Sequence, residues 1–174
     1  MGRAGGRRRP MVIAAVAVAA VLVAVGAYWF EPWKLWQDRT VREALPTATA
    51  SAPAQAAPRT LARGTLISHE HTTTGTVELV RLADGSRVLR LEGLDTSNGP
   101  DLRVWLTDAP VKEGTDGWYV FDDGKHVSLG ALKGNKGDQN YPVPADVDLS
   151  QYGSVTIWCD RFDVSFGAAA LQPV

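Results

Sequence analysis

The chain has 174 residues, 45% of them hydrophobic, and a formal net charge of −1, which suits one modest domain with accessory segments. That charge divides unevenly, with +4 on residues 1–10, +1 on 31–62 and −6 on 63–174, and an acidic domain repels phosphate backbones, so nucleic acid is not an expected partner. A single cysteine, Cys159, excludes an intrachain disulfide and multi-cysteine zinc or iron–sulfur sites.

Residues 1–10 form a basic tail with Arg3, Arg7, Arg8 and Arg9. The next twenty residues, Met11 to Phe30, carry no charge; at about 1.5 Å rise each they span roughly 30 Å, the thickness of a bilayer's hydrocarbon. Tyr28, Trp29, Phe30, Trp33 and Trp36 crowd the far end, where amphipathic rings meet lipid headgroups. The segment 11–30 therefore reads as a transmembrane helix in contact with membrane lipid. The arginines place the N-terminus in the cytoplasm and the rest of the chain outside it, at the cell membrane. The rival reading is a cleaved signal peptide ending near Val25-Gly26-Ala27.

Residues 31–62 begin with an aromatic juxtamembrane stretch and continue, from Ala44, in alanine, proline and threonine without apolar periodicity. Such a composition cannot bury a core, and the expectation is a flexible tether reaching roughly 50 Å in polyproline-like extension.

From residue 63 the texture turns to strands. Thr76–Leu82 and Ser86–Leu94 flank Asp84-Gly85, a hairpin signature. Leu102, Val104 and Leu106 alternate with polar or amphipathic neighbours, as in a half-buried strand. Trp118–Phe121 reads as a short aromatic strand, and Ser154–Asp160 with Asp163–Phe166 as a last pair. Prolines 100, 110, 142 and 144 fall between these runs. The one helical turn expected is Asp148–Gln151. Residues 63–174 are thus predicted to be all-β, an antiparallel sandwich-like domain.

Few residues suggest chemistry. Alternation in Val155-Thr156-Ile157-Trp158-Cys159 puts Cys159 on the face of Val155 and Ile157, opposite Trp158. Cys159 is then either a small buried hydrophobe or, if the strand ends there, a reachable thiol with Arg161 favouring its thiolate. His69 and His71 would share one face of a strand and form a weak metal pair without a third ligand. Asn98-Gly99-Pro100-Asp101 has turn chemistry. The stretch 130–141 is a glycine-rich polar loop that lacks phosphate-loop spacing. No hydrolase motif occurs.

Several pieces together resemble the DM-thirteen family, described as an electron-transfer module. They are Gly64-Thr65-Leu66 with Gly75, Asn98-Gly99-Pro100-Asp101-Leu102, Leu132-Lys133-Gly134 with Gly137 to Tyr141, and Ile157-Trp158-Cys159 with Phe162 and Phe166-Gly167. The resemblance implies an extracytoplasmic β domain in which Cys159 acts in redox chemistry. It would act as a bare thiol or, with Trp158 beside it, by holding a group such as haem. The electron partner would be another protein. The alternative is a non-catalytic binding module presenting loops 95–101 and 130–141, with Asn98, Lys133 and an exposed Trp105 or Trp118, to a surface partner.

Overall fold

The structure, a computed structural model, describes residues 8–46 and 57–174. The apolar N-terminal stretch forms α1 (Arg8–Phe30). The domain strands are β1 (Thr40–Arg42), β2 (Arg59–Thr65), β3 (Ile67–Ser68), β4 (Thr74–Arg81), β5 (Arg87–Asp95), β6 (Leu102–Thr107), β7 (His126–Ala131), β8 (Lys136–Val143), β9 (Ser154–Cys159), β10 (Val164–Ala170) and β11 (Gln172–Pro173). Short 3-10 turns occupy Pro32–Trp36, Gly114–Gly117 and Leu149–Gln151. The last is the turn expected at 148–151, and Asp148 caps it by accepting from the Ser150 amide.

Two sheets face one another, in the orders β1-β8-β5-β4-β2-β11 and β3-β10-β9-β6-β7. All pairings are antiparallel except β1 with β8, which run parallel. The predicted Asp-Gly hairpin is present: β4 and β5 pair from Val77 with Leu91 to Arg81 with Arg87. Gly85 adopts φ 83° there, a left-handed conformation that glycine takes without strain.

Between the sheets Val77, Leu79, Leu89 and Leu91 meet Val104, Leu106, Val155 and Ile157, all fully or almost fully buried. The second sheet is buried on its outer face too, where Trp105, Trp158 and Ala168 pack with Ala109 and Phe121 from the connection after β6. β9 is consequently buried at every residue. β6 departs in the same way from the half-buried strand its alternation predicts, because Trp105 is buried like Val104 and Leu106 on either side of it.

Three other expectations change. Trp118–Phe121 is not a strand; after the 3-10 turn it runs irregularly across the second sheet, held by the Ser165 amide on the Trp118 carbonyl and by Phe121 in the outer core. The stretch 130–141 is largely strand, because β8 begins at Lys136, and Pro142 lies within it, opposite Val88. Finally, the ordered domain extends beyond 63–174. β2 starts at Arg59, β1 joins the first sheet, and Leu45 covers Val80, Leu82 and Val88 on that sheet's outer face. The expected tether is thus docked on the domain at its near end and part of a strand at its far end; residues 47–56, on which its reach was argued, lie outside those described.

Leu91 is completely buried between the sheets. Leu91→Ala is expected to lower unfolding free energy by about 2–5 kcal/mol, read from the urea midpoint at unchanged slope.

Candidate functional site

Cys159 ends β9, opposite Leu102 of β6 on one side and Val164 of β10 on the other. Its side chain is fully buried in the inter-sheet core. Of the two alternatives that alternation leaves open, this is the buried one; the reachable thiol is not observed. Burial pushes the thiol pKa up, while the backbone amides of Arg161, Phe162 and Asp101 act in the opposite direction and the Asp101 carboxylate adds to the rise. Arg161 does not favour the thiolate with its guanidinium. That group turns away to donate to the Trp29 carbonyl at 2.9 Å and lies over the Trp29 ring.

Trp158 points the other way. It is buried on the outer face of the second sheet, stacked on Trp105 with ring centroids 5.1 Å apart. Phe121 meets it edge-on at 6.4 Å. Trp105 stacks in turn on exposed His126 at 4.0 Å, nearly parallel. Trp158 and Cys159 therefore line no common site, and the aromatic stack runs from the surface to the strand that carries the cysteine. Trp105 is itself 5% exposed, so it is not the surface ring of the binding-module reading, and its Nε1 has no hydrogen-bond partner among the described residues.

The two histidines also part company, since β3 ends at Ser68 and the chain bends through 69–71. His69 is buried, with Nε2 3.0 Å from the Lys112 carbonyl and Nδ1 2.7 Å from the Ser165 hydroxyl. The carbonyl only accepts, so Nε2 carries the proton and Nδ1 accepts from Ser165; Thr156 Oγ1 extends the network 2.8 Å beyond. Both ring nitrogens are engaged by protein, and among the described residues no three His, Cys, Asp or Glu side chains converge as a metal site. His71 instead pairs with Glu70 at 2.6 Å and lies against Phe166.

His71 lines a cleft of about 440 Å³ between the domain and the chain leaving α1, with Phe30, Leu35, Asn98, Trp118 and Phe162. Phe30 stacks on Phe162 at 5.5 Å, Lys34 donates to the Pro100 carbonyl at 3.1 Å, and Asn98 donates to the Gln37 carbonyl at 3.0 Å. Val164 belongs both to this wall and to the pair with Cys159, so the cysteine lies one layer behind the cleft.

The other loop of the binding-module reading is also engaged by the chain's own N-terminal segment. Lys133 Nζ donates to both Glu43 carboxylate oxygens at 2.8 and 2.9 Å, and the Asn140 amide donates to Glu43 Oε2 at 2.8 Å. These donors hold the Glu43 carboxyl below its ordinary range, Lys133 most strongly. Buried Asn135 donates to Asp38 and accepts from the Arg39 amide. The pairing of Asp38 and Glu43 with the 130–141 stretch is not legible in the sequence, since the partners lie about ninety residues apart; the local signal is the β-branched pair Thr40-Val41.

A two-sheet β domain with a sealed cysteine, preceded by an apolar helix, defines the class. The particular assignment is that the chain matches the family described as electron transfer DM13 over residues 65–171, and it belongs to that family. No curated protein and no solved structure matches it significantly. The residues do not fit haem held by Cys159: its sulfur is enclosed by core side chains and does not line the cleft beside His71.

Burial lowers the His69 pKa from its ordinary 6.5, a shift only partly offset by the Lys112 carbonyl. The unfolded chain therefore takes up a proton near pH 6.5 that the folded chain resists, and stability falls as pH drops below that value. His69→Gln is expected to flatten this slope in urea titrations between pH 7 and 5. Cys159, closed and protonated, is expected to alkylate at neutral pH only after unfolding, read by intact mass.

Proposed function

We propose that the chain is an extracytoplasmic electron-transfer accessory, held at the cell membrane by α1, in which Cys159 is the redox residue. One helix, Arg9–Phe30, is long and apolar enough to span a bilayer, and the family assignment supports the electron-transfer role. The burial of Cys159 supports one redox chemistry over another. Disulfide exchange needs a second sulfur to attack directly, and a sealed sulfur gives it no approach. Electron transfer through packed atoms needs none.

The observation that carries this reading is the continuous stack His126–Trp105–Trp158 leading from the surface to the cysteine-bearing strand. A one-electron acceptor on a partner protein would draw an electron along it. Cys159 would yield that electron, its proton leaving toward the Asp101 carboxylate whose charge is felt at the thiol. A reduced donor then returns one electron and the proton comes back, restoring the thiol. The electron partners are separate proteins.

The test attaches a photo-oxidisable ruthenium complex at Lys125→Cys, beside His126, where buried Cys159 escapes labelling. After a flash, paramagnetic resonance is expected to show a sulfur-centred radical in the otherwise native protein. Trp158→Phe should slow its appearance, and Cys159→Ser should leave only tryptophan radicals. Identical signals with and without Cys159 would refute the role of the thiol.

A further inference from the structure

The first sheet would end at β8 without the segment that follows the helix. Along β8 a shallow track receives that segment, and its features are specific to a peptide backbone. The Lys136 amide donates to the Arg39 carbonyl at 3.2 Å, and the Glu43 amide donates to the Asp138 carbonyl at 3.0 Å. A Cβ on Gly134 would collide with the Arg39 carbonyl, and one on Gly137 with the Val41 carbonyl. The two glycines thus make the floor on which β1 lies. Arg90 donates to the Glu43 carbonyl at 3.0 Å and Asn140 Nδ2 to the Ala44 carbonyl at 2.8 Å. At one end of the track the Glu43 carboxylate enters a socket made by Lys133 and the Asn140 amide.

All the receiving residues, from Arg90 to Asn140, lie within the family match at 65–171, and the strand they receive lies outside it. Main-chain pairing for affinity with a side-chain socket for selectivity is the arrangement of strand addition to a sheet edge. We propose that this track is a peptide-acceptor site for an extended segment bearing a glutamate, occupied in cis by Asp38–Ala44. The occupant clips the anchor helix to the domain without a covalent bond at the contact. The acceptor acts independently of the electron chemistry of Cys159, which lies on the other sheet. Its hold weakens as pH falls below the ordinary carboxyl value of 4.5, because protonated Glu43 loses its partner at Lys133.

The experiment uses the full chain in detergent micelles, with a protease sequence placed within residues 47–56 and an affinity tag on the N-terminus. After cleavage, the fraction of the 57–174 piece recovered with the tagged helix is measured. The native sequence is expected to retain most of it, and Glu43→Ala to release most of it. A synthetic peptide of residues 36–46 should displace the native piece, and the same peptide carrying Glu43→Ala should not. Loss of the native piece on cleavage, retention by Glu43→Ala equal to the native chain, or an inert native peptide would each overturn the proposal. Equal retention would assign the hold to Phe30, Trp29 and Arg161 instead.

Discussion

The structure depends above all on β9 being buried on both faces. A strand in a two-sheet domain ordinarily turns one side to water, and its alternate residues can be polar. Here Val155, Ile157 and Cys159 fill the space between the sheets, while Trp158 fills a second apolar layer outside. The connection between β6 and β7 is the lid that makes this second layer, contributing Ala109 and Phe121. Sealing both sides requires the polar atoms in between to be matched internally. Thr156, Ser165 and His69 do so as a hydrogen-bonded row ending on the Lys112 carbonyl of that same connection. The neutral imidazole is the pivot, because it accepts at one nitrogen and donates at the other.

That closure separates the two residues that sequence places side by side. Cys159 and Trp158 belong to different apolar layers, and each layer meets a different part of the surface. The cysteine lies behind the cleft that α1 and the 98–101 turn enclose, and the tryptophan leads through Trp105 to His126. The end of α1 and the segment that follows it bind the domain through three kinds of contact: rings at Phe30 and Phe162, main-chain carbonyls at Gln37 and Pro100, and a carboxylate at Glu43. A segment so engaged positions the domain relative to its helix.

Much of this was legible from residue types alone. The β4–β5 hairpin follows from Asp84-Gly85 between β-rich runs, and the face that Cys159 shares with Val155 and Ile157 follows from period-two alternation in β9, whereas its burial does not, since both faces of that strand are covered. The aromatic run at 118–121 misleads because Phe121 is apolar for packing across a sheet rather than for pairing within one. Glycines 134 and 137 suggest a loop by composition; Gly134 does lie in the loop before β8, but Gly137 lies within the strand, and both are cleared for a neighbouring backbone. The track on β8 was invisible because its two halves lie about ninety residues apart, and because three residues, Thr40–Arg42, give too short a pattern to read. His69 and His71 share a face only if the chain stays extended, and the bend after Ser68 removes that premise.

Pro142 has a consequence for how copies of the chain coexist. β1 covers β8 only from Lys136 to Asp138, and the remaining stretch of that edge contains a residue with no amide hydrogen to donate. At the opposite margin of the same sheet, β11 also includes a proline, Pro173. Neither margin can present an unbroken row of donors, so stacking of one domain's sheet onto another's is interrupted at both ends. Copies of the chain at high concentration thereby keep their sheets discrete rather than zipping into ribbons.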